Sequence, residues 1–233
     1  MQTAPLKYLY DLYYASGSKS WVLWLYYRFM RSPLTVKWLF RMKVLSTGEL
    51  AVYFTQLPVY FSLSTVLLKM VLKDKLRHSP NLKLLEIGVG AFAVLSGCLS
   101  RWATQTIDAI DIDPACVASA QKHVELNRVN VRVFQSDLFS NVPACQYDLI
   151  FWNLPTEKDL NTYLPDLFKG VPDFMNESAQ LIIIYNTKKL PRETVLNILS
   201  KYERLNPDEI KTWWWNIHNV LVINKNHSIT SEL

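Results

Sequence analysis

Two glycines stand at a sharp junction between an apolar run and a helical pattern. The run Leu82–Ile87 reads as a buried strand, Gly88 and Gly90 follow it, and Phe92–Arg101 has the spacing of a helix. Glycine lets the backbone bend sharply there and approach a ligand without a Cβ in the way. The same junction brings backbone N–H groups that have no partner within the helix close to that ligand. This turn therefore predicts an α/β fold with a ligand at the carboxyl end of its first strand.

Predicted strands and helices alternate after this turn. We predict strands at 107–112, 131–135, 147–152 and 181–185, helices at 114–126 and 191–202, and two last strands near 211–215 and 220–224. Strands that alternate with helices require a mostly parallel sheet with helices on both faces. The sequence therefore predicts one α/β domain over residues 81–226, with its ligands at the carboxyl ends of the strands.

Residues 1–80 differ in amino-acid composition from this domain. They are rich in Tyr, Trp and Phe and poor in Gly and Asp, with helical patterns at 8–14, 21–30, 36–42 and 65–76 and a short strand at 50–54. We expect a mainly helical extension that packs over the carboxyl edge of the sheet as a substrate lid. Residues 227–233 are polar and have no period, which predicts a flexible tail.

The charge is modest and unevenly spread. The chain carries 25 Lys and Arg against 20 Asp and Glu, a net charge of +5, and its first forty-odd residues hold much of the positive excess. That balance is compatible with nucleic acid, but no predicted element interleaves basic residues with aromatics along one face. The sequence therefore favours a small molecule or a protein as the partner over nucleic acid.

Cysteine usage and hydropathy bear on location and metal content. The three cysteines lack the spacing of a metal site or a disulfide frame, and the four histidines are scattered, so we expect no metal and a reducing compartment. No signal peptide is evident at the start. The apolar stretches 21–30 and 51–72 are too short or too interrupted to span a membrane. A cytoplasmic location is the expectation.

Four polar positions follow four successive strands. Glu86 lies just before the glycine turn, where an acid can meet an ammonium group. Asp111 ends the second strand, where a carboxylate can accept both hydroxyls of a ribose. Asp137 follows the third strand and can accept from the exocyclic amine of adenine, with Leu138 against the ring. Asn153 ends the fourth, where its carbonyl oxygen can hold a substrate N–H and orient the nitrogen for reaction.

The residues around the glycine turn distinguish between two possible cofactors. The spacing of Gly88, Gly90 and Ala93 also matches the dinucleotide fingerprint, and an acid after the second strand is shared with nicotinamide enzymes. Glu86 and the segment Asp137–Phe139 are not routine in a nicotinamide site. They favour S-adenosylmethionine (SAM).

In their order along the chain these residues resemble class I SAM-dependent methyltransferases over about 82–225. The nearest resemblance is to the amino-methylating group with an Asn-Pro-Pro-aromatic motif. It implies a Rossmann-like, seven-stranded, mostly parallel sheet with a reversed last strand, and methyl transfer from SAM to a nucleophile, with nitrogen favoured. It assigns the catalytic role to Asn153 and places Trp152 and Pro155 beside the substrate. It assigns cofactor contacts to Glu86, Gly88, Gly90, Asp111, Ile112, Asp137, Leu138 and Asn153.

The chain departs from this pattern at three positions. Phe92 stands where a third glycine often occurs, and we expect it to pack against the turn or the cofactor. Leu154 and Thr156 stand where the motif has its first proline and its aromatic. That aromatic stacks on planar substrates, a role that Trp152 or an aromatic residue of the N-terminal extension would have to take.

Two alternatives stay open. The departures at Leu154 and Thr156 allow a SAM-fold protein without methyl transfer, either a scaffold or an enzyme that uses another part of the cofactor. The spacing of Gly88, Gly90 and Ala93 allows an NAD(P)-binding oxidoreductase. Glu157 and Asp159 are the candidate bases, and Trp213–Trp215 is expected in the core or, if one tryptophan is exposed, at a docking surface.

Overall fold

A computed structural model describes residues 63–155, 160–212 and 218–226 of the chain. Several predictions concern segments outside the described residues. They are the N-terminal helices, strand and lid before residue 63, Thr156, Glu157, Asp159, Trp213–Trp215 and the tail 227–233.

Seven strands of the described residues form one sheet. They are β1 (Leu84–Ile87), β2 (Ile107–Asp111), β3 (Val131–Gln135), β4 (Tyr147–Asn153), β5 (Met175–Asn186), β6 (Leu205–Thr212) and β7 (His218–Lys225). Their order in the sheet is β3-β2-β1-β4-β5-β7-β6. The first five strands run parallel, and β7 is antiparallel to both of its neighbours. The predicted seven-stranded, mostly parallel sheet with a reversed last strand is confirmed.

Helices cover both faces of this sheet, as predicted. They are α1 (Leu63–His78), α2 (Val94–Leu99), α3 (Pro114–Asn127), α4 (Leu160–Gly170) and α5 (Arg192–Leu199), with a short 3-10 helix at Val171–Phe174. Apolar residues of α1, α2 and α3 share one buried cluster with one face of the sheet. Residues of α4, α5 and the 3-10 helix share a second cluster with the other face.

Helix α1 belongs to the sheet-containing unit. Leu68, Leu72 and Leu76 repeat at every fourth position, so they share one face of the helix, and all three are buried in the core. The residues from Ser62 onward form one compact unit. The sequence pattern had grouped this helix with the extension, on the other side of a boundary at residue 80.

Two further features differ from the sequence-based expectation. Helix α4 was not predicted, because Pro165 lies in its interior and removes one backbone donor. Its residues Leu160, Leu164 and Phe168 nevertheless form an apolar face that is buried in the core. Strand β5 begins at Met175 rather than Leu181, through a polar stretch with exposed side chains. No helix among the described residues has both the length and the apolar character that crossing a membrane requires.

A polar contact connects three strands on the face of the sheet that α4 and α5 cover. Asp108 of β2 is almost fully buried, and it accepts from Nε and Nη2 of Arg132 at 2.8 and 2.7 Å. The Tyr147 hydroxyl of β4 donates to the same carboxylate at 2.7 Å. Burial raises the pKa of Tyr147, and the hydrogen bonds and the neighbouring carboxylate act in the same direction, so this phenol remains a donor. The contact joins three strands, β2, β3 and β4, through side chains.

Candidate functional site

The glycine turn has one side against the protein and one side towards open space. Gly88 and Gly90 have φ values of +69° and +64°, which L side chains rarely adopt. A Cβ on Gly88 would lie 2.8 Å from Nε1 of Trp152, whereas a Cβ on Gly90 would have no atom within 4 Å. Gly88 is therefore required by packing beneath the turn, and Gly90 leaves room above it.

Asp111 is held beside this open position by backbone donors. The Gly90 N–H donates to Oδ2 of Asp111 at 2.9 Å, and the Asp113 N–H donates to Oδ1 at 3.1 Å. Each carboxylate oxygen keeps further lone-pair capacity. The arrangement suits a ligand with two neighbouring hydroxyls. Asp113 itself caps α3 by accepting from the Ala115 N–H at 2.8 Å, so its side chain has a structural role.

Glu86 lies behind the turn and is only 5% exposed. Its Oε2 accepts from the Ser96 N–H in the first turn of α2 at 3.0 Å. Burial raises the pKa of Glu86 to about 8; the hydrogen bonding to Ser96 opposes that rise, and the charge of Asp111 adds a smaller upward contribution. In the ligand-free protein this carboxyl is therefore largely protonated at neutral pH.

The turn after β3 presents an acid and an apolar side chain. Asp137 is exposed, and its backbone N–H donates to Oγ of Ser140 at 3.1 Å. Leu138 has a φ of +44° and is half-buried. The turn is tied to β2 because the Ser136 N–H donates to the Asp111 carbonyl at 3.0 Å. Ile112 on the neighbouring strand end is 40% exposed, so apolar surface remains accessible at this edge.

Asn153 ends β4 and touches a helix that begins 90 residues earlier. Its Nδ2 donates to Oγ1 of Thr65 in the first turn of α1, at 3.0 Å. Thr65 is buried. Sequence reasoning missed this residue because the two partners are 88 positions apart and nothing local links them.

Leu154 has a structural reason to replace the proline of the motif that the sequence resembles. Its N–H donates to the Ile184 carbonyl of β5 at 3.0 Å, a bond that proline cannot make. The Leu154 side chain is buried in the core on the α4 and α5 face. Leucine at this position therefore adds one backbone hydrogen bond to the sheet and one buried side chain to the core at the end of β4.

Trp152 and Phe92 both lie in packing positions. Trp152 is 7% exposed, with its indole against Gly88, on the same face of β4 as buried Ile150. The alternation along the strand, two residues from Ile150, was the available signal for this placement. Phe92 packs edge-on against His123 of α3, with ring centroids 4.8 Å apart, and is buried there. The predicted substrate position Pro155 is half-buried at the end of the described segment.

Along the edge of the sheet, the predicted positions follow the strand order. The turn with Asp137 lies next to Asp111, then come the glycine turn and Asn153, since β3, β2, β1 and β4 are neighbours in that order. Hydrogen bonds join the first three, and Trp152, which precedes Asn153, contacts Gly88. The edge combines a buried acid, a backbone-held carboxylate, an exposed acid with apolar neighbours and an oriented amide.

The sequence is similar to a known protein family and to curated proteins. The family model of the methyltransferase small domain matches residues 60–209. A Methanocaldococcus jannaschii protein named for N5-glutamine methylation of proteins is 38% identical over 98 residues, 40% of this chain and 49% of that protein. The ribosomal protein L11 methyltransferase of Thermosipho africanus is 32% identical over 161 residues, 69% of this chain and 54% of that protein. The chain thus spans about half the length of these curated relatives.

Among solved structures, the ribosomal protein L11 methylase of Lactobacillus delbrueckii subsp. bulgaricus superposes with a TM-score of 0.59. It is 19% identical, and the match covers 72% of this chain and 81% of that one. At this identity the likeness concerns the fold.

Proposed function

Because the chain belongs to the methyltransferase small domain family, we propose that it transfers the methyl group of SAM to a nitrogen atom of a protein or small molecule. The observation that carries the proposal is the edge formed by the glycine turn, Asp111 and Asn153. It offers an open backbone turn bonded to a carboxylate, with an amide on the next strand end.

The cofactor roles follow from the chemistry of each position. Asp111 receives the two ribose hydroxyls, and the open turn at Gly90 gives the backbone close access to the ligand. Glu86 pairs with the ammonium of the methionine part after losing its proton. Asp137 accepts from the adenine amine, and Leu138 lies against the ring.

The glycine turn, Asp111 and Asp137 would hold SAM, which would supply a methyl group on a positively charged sulfur; the new bond to the acceptor would form as the carbon–sulfur bond breaks, with S-adenosylhomocysteine as the leaving group. The contribution of the chain is then to position the acceptor and exclude water. Oδ1 of Asn153 accepts the N–H of the acceptor and so directs its lone pair at the methyl group. Trp152, buried beneath Gly88, supports the floor of this space.

Family membership favours SAM over a nicotinamide cofactor, the alternative that the spacing of Gly88, Gly90 and Ala93 left open. Two relatives are named for acting on proteins and two others for acting on ribosomal RNA, so the relatives allow either acceptor. A protein nitrogen is favoured here because no predicted element interleaves basic residues with aromatics along one face. A cytoplasmic location remains part of the proposal, and cell fractionation tests it.

The test begins with calorimetric titrations of SAM, S-adenosylhomocysteine (SAH) and NADH. We expect SAM and SAH to bind and NADH not to bind; NADH binding without SAM binding would contradict the proposal. Tritium-labelled SAM is then incubated with the protein and a cell extract, which is treated with protease or ribonuclease before counting.

We expect protease-sensitive label that N153A abolishes while its SAH affinity stays close to wild type. N130A, which changes an exposed asparagine bonded to Thr106, is the matched control and should keep the transfer. Ribonuclease-sensitive label would replace the protein acceptor with RNA. SAH binding without transfer to any fraction would favour a SAM-fold protein that transfers no methyl group.

A further inference from the structure

The hydroxyl of Ser96 is a buried polar group that makes no hydrogen bond in the ligand-free protein. Ser96 lies in the first turn of α2 and is completely buried. Its Oγ has no hydrogen-bond partner among the described residues. A buried hydroxyl without a partner costs free energy, so this position calls for a physical explanation.

The carboxyl group of Glu86 adjoins this hydroxyl. The Ser96 N–H donates to Oε2 of Glu86 at 3.0 Å, and Oγ is joined to that nitrogen through only two carbon atoms. The hydroxyl also acts on the carboxyl, because the interaction of the Ser96 side chain with it opposes the rise in the Glu86 pKa that burial causes. One serine therefore has two donors within reach of the same carboxyl group.

The second donor affects the two protonation states of Glu86 unequally. A hydroxyl donates to a carboxylate, whereas it either donates to or accepts from a neutral carboxyl group. The bond to the carboxylate is charge-assisted, and it is roughly twice as strong as the bonds to the neutral form. The hydroxyl of Ser96 therefore favours the ionised form, whichever way it points when Glu86 is protonated.

The charged groups around Glu86 do not supply a substitute for this donor. Among the described residues that act on the carboxyl, Ser96 supplies the hydrogen-bond donors and Asp111 of β2 supplies a negative charge, which opposes ionisation. Lys69 of α1 and His123 of α3 are buried on the same face of the sheet, but they are not among the groups that act on Glu86. The ionised carboxylate therefore depends on Ser96 for its hydrogen bonds.

We propose that Ser96 is a positioning residue that holds ionised Glu86 through both its backbone N–H and its hydroxyl, so that the carboxylate can receive the ammonium group of the cofactor. When the cofactor binds, Glu86 releases its proton to solvent and the hydroxyl gains its acceptor. This inference rests on the proposed function, and it adds the residue that makes ionisation of the buried acid less costly.

The test compares wild type with S96A in two measurements. Carbon-13 NMR of the Glu86 carboxyl follows its titration in the ligand-free protein, and calorimetry measures the dissociation constant of SAH from pH 6 to pH 9. We expect S96A to raise the Glu86 pKa by about one pH unit, because a hydrogen bond to a charged group is lost. The SAH affinity should then fall about tenfold at pH 7 but only about twofold at pH 9. Titration of the ligand itself cancels in the ratio of the two proteins.

Three controls separate this role from packing. S119A removes another buried hydroxyl that has no partner among the described residues, on α3, and it should change neither the pKa nor the affinity. In an E86Q background, S96A should leave the SAH affinity within about twofold at every pH, because no carboxylate remains. At pH 6, S96A should unfold in urea no more easily than wild type, since it removes a hydroxyl that has no bond in the protonated state.

The outcomes separate the two claims. An unchanged Glu86 pKa in S96A, or a loss of SAH affinity that is equal at pH 7 and pH 9, overturns the positioning role while SAH binding by wild type leaves the proposed function standing. An S96A effect on SAH affinity that persists undiminished in E86Q also overturns it. If wild type binds no SAH, the proposed function fails and the cofactor role of Ser96 fails with it, whereas the NMR titration still measures how Ser96 acts on Glu86.

Discussion

At the scale of single residues, the burial of Glu86 opposes the ionisation of its carboxyl group. Its carboxyl is 5% exposed and accepts one backbone hydrogen bond from Ser96, and burial raises its pKa to about 8. Under the proposed function a cofactor ammonium would pair with the ionised form, so the protonated form would first have to lose its proton. Ligand binding and the ionisation of Glu86 would then be linked.

We expect the affinity for SAH to increase with pH up to about 8. Below the pKa of Glu86, each pH unit reduces the ionised fraction by about tenfold, and the affinity should follow. Calorimetry at pH 6, 7 and 8 in two buffers of different ionisation enthalpy measures both the affinity and the proton released. E86Q should bind more weakly and lose most of this pH dependence; an E86Q variant with the wild-type slope would contradict the assignment.

The same residue should affect stability with the opposite trend. Its pKa in the folded state lies above the ordinary value of 4.5, so its stabilising contribution is complete below pH 4.5 and is lost as pH rises through about 8. Urea unfolding of the ligand-free protein should therefore show E86Q to be more stable than wild type at pH 9, by on the order of 1–3 kcal/mol. The difference should shrink towards pH 5, and an equal difference at both pH values would refute the linkage.

Substitutions at the two glycines should distinguish an effect on stability from an effect on ligand binding. G88A places a Cβ 2.8 Å from Trp152 and also strains the backbone, so its melting temperature should fall by several degrees. G90A carries a similar backbone strain but meets no atom within 4 Å, so its melting temperature should fall less. Its methyl group instead enters the space proposed for the ligand, and SAH binding should be lost. Thermal scans with and without SAH compare the two; intact SAH stabilisation of G90A would contradict the placement of the cofactor.

At the scale of secondary-structure elements, the strands β2, β3 and β4 are joined by the buried carboxylate of Asp108. D108A leaves the buried Tyr147 hydroxyl without its acceptor, whereas the exposed Arg132 can turn to water, and we expect the change to lower the free energy of unfolding by about 1–3 kcal/mol. The matched control is D173A, since Asp173 forms an exposed ion pair with Arg204 that should contribute less than about 1 kcal/mol. Urea denaturation measures both. A D108A effect no larger than that of D173A would show that the buried contact adds little.

Elements also differ in how well the sequence revealed them. Strand β3 was predicted with its observed bounds, Val131–Gln135, because its apolar residues stand between clear turns. Helix α4 was missed because Pro165 argues against a helix locally, while its apolar face finds a partner only in the folded core. The membership of α1 in the sheet unit was missed for the same reason: local patterns show an apolar face but not what covers it.

At the scale of the whole molecule, the sequence indicated contacts between neighbouring strand ends better than a contact between a strand end and a helix. The bond of Asp111 to the glycine turn could be anticipated, because parallel strands end at one edge and both residues stand at strand ends. The bond of Asn153 to Thr65 could not, since it depends on how α1 packs across the sheet. The alternation of side chains along β4 indicated that Trp152 is buried. The resemblance of the segment to the motif predicted a substrate contact for this residue instead, and the prediction followed the motif.

The separation of 88 positions between Thr65 and Asn153 also bears on the order in which the site can form. The turns that carry Glu86, Asp111 and Asp137 come from one continuous stretch of chain, and contacts between near neighbours require little loop closure. The Asn153 side chain gains its contact with Thr65 only when α1 has packed on a sheet that already includes β4. As the chain leaves the ribosome, the turns proposed to hold the cofactor can therefore form before the contact beside the proposed acceptor.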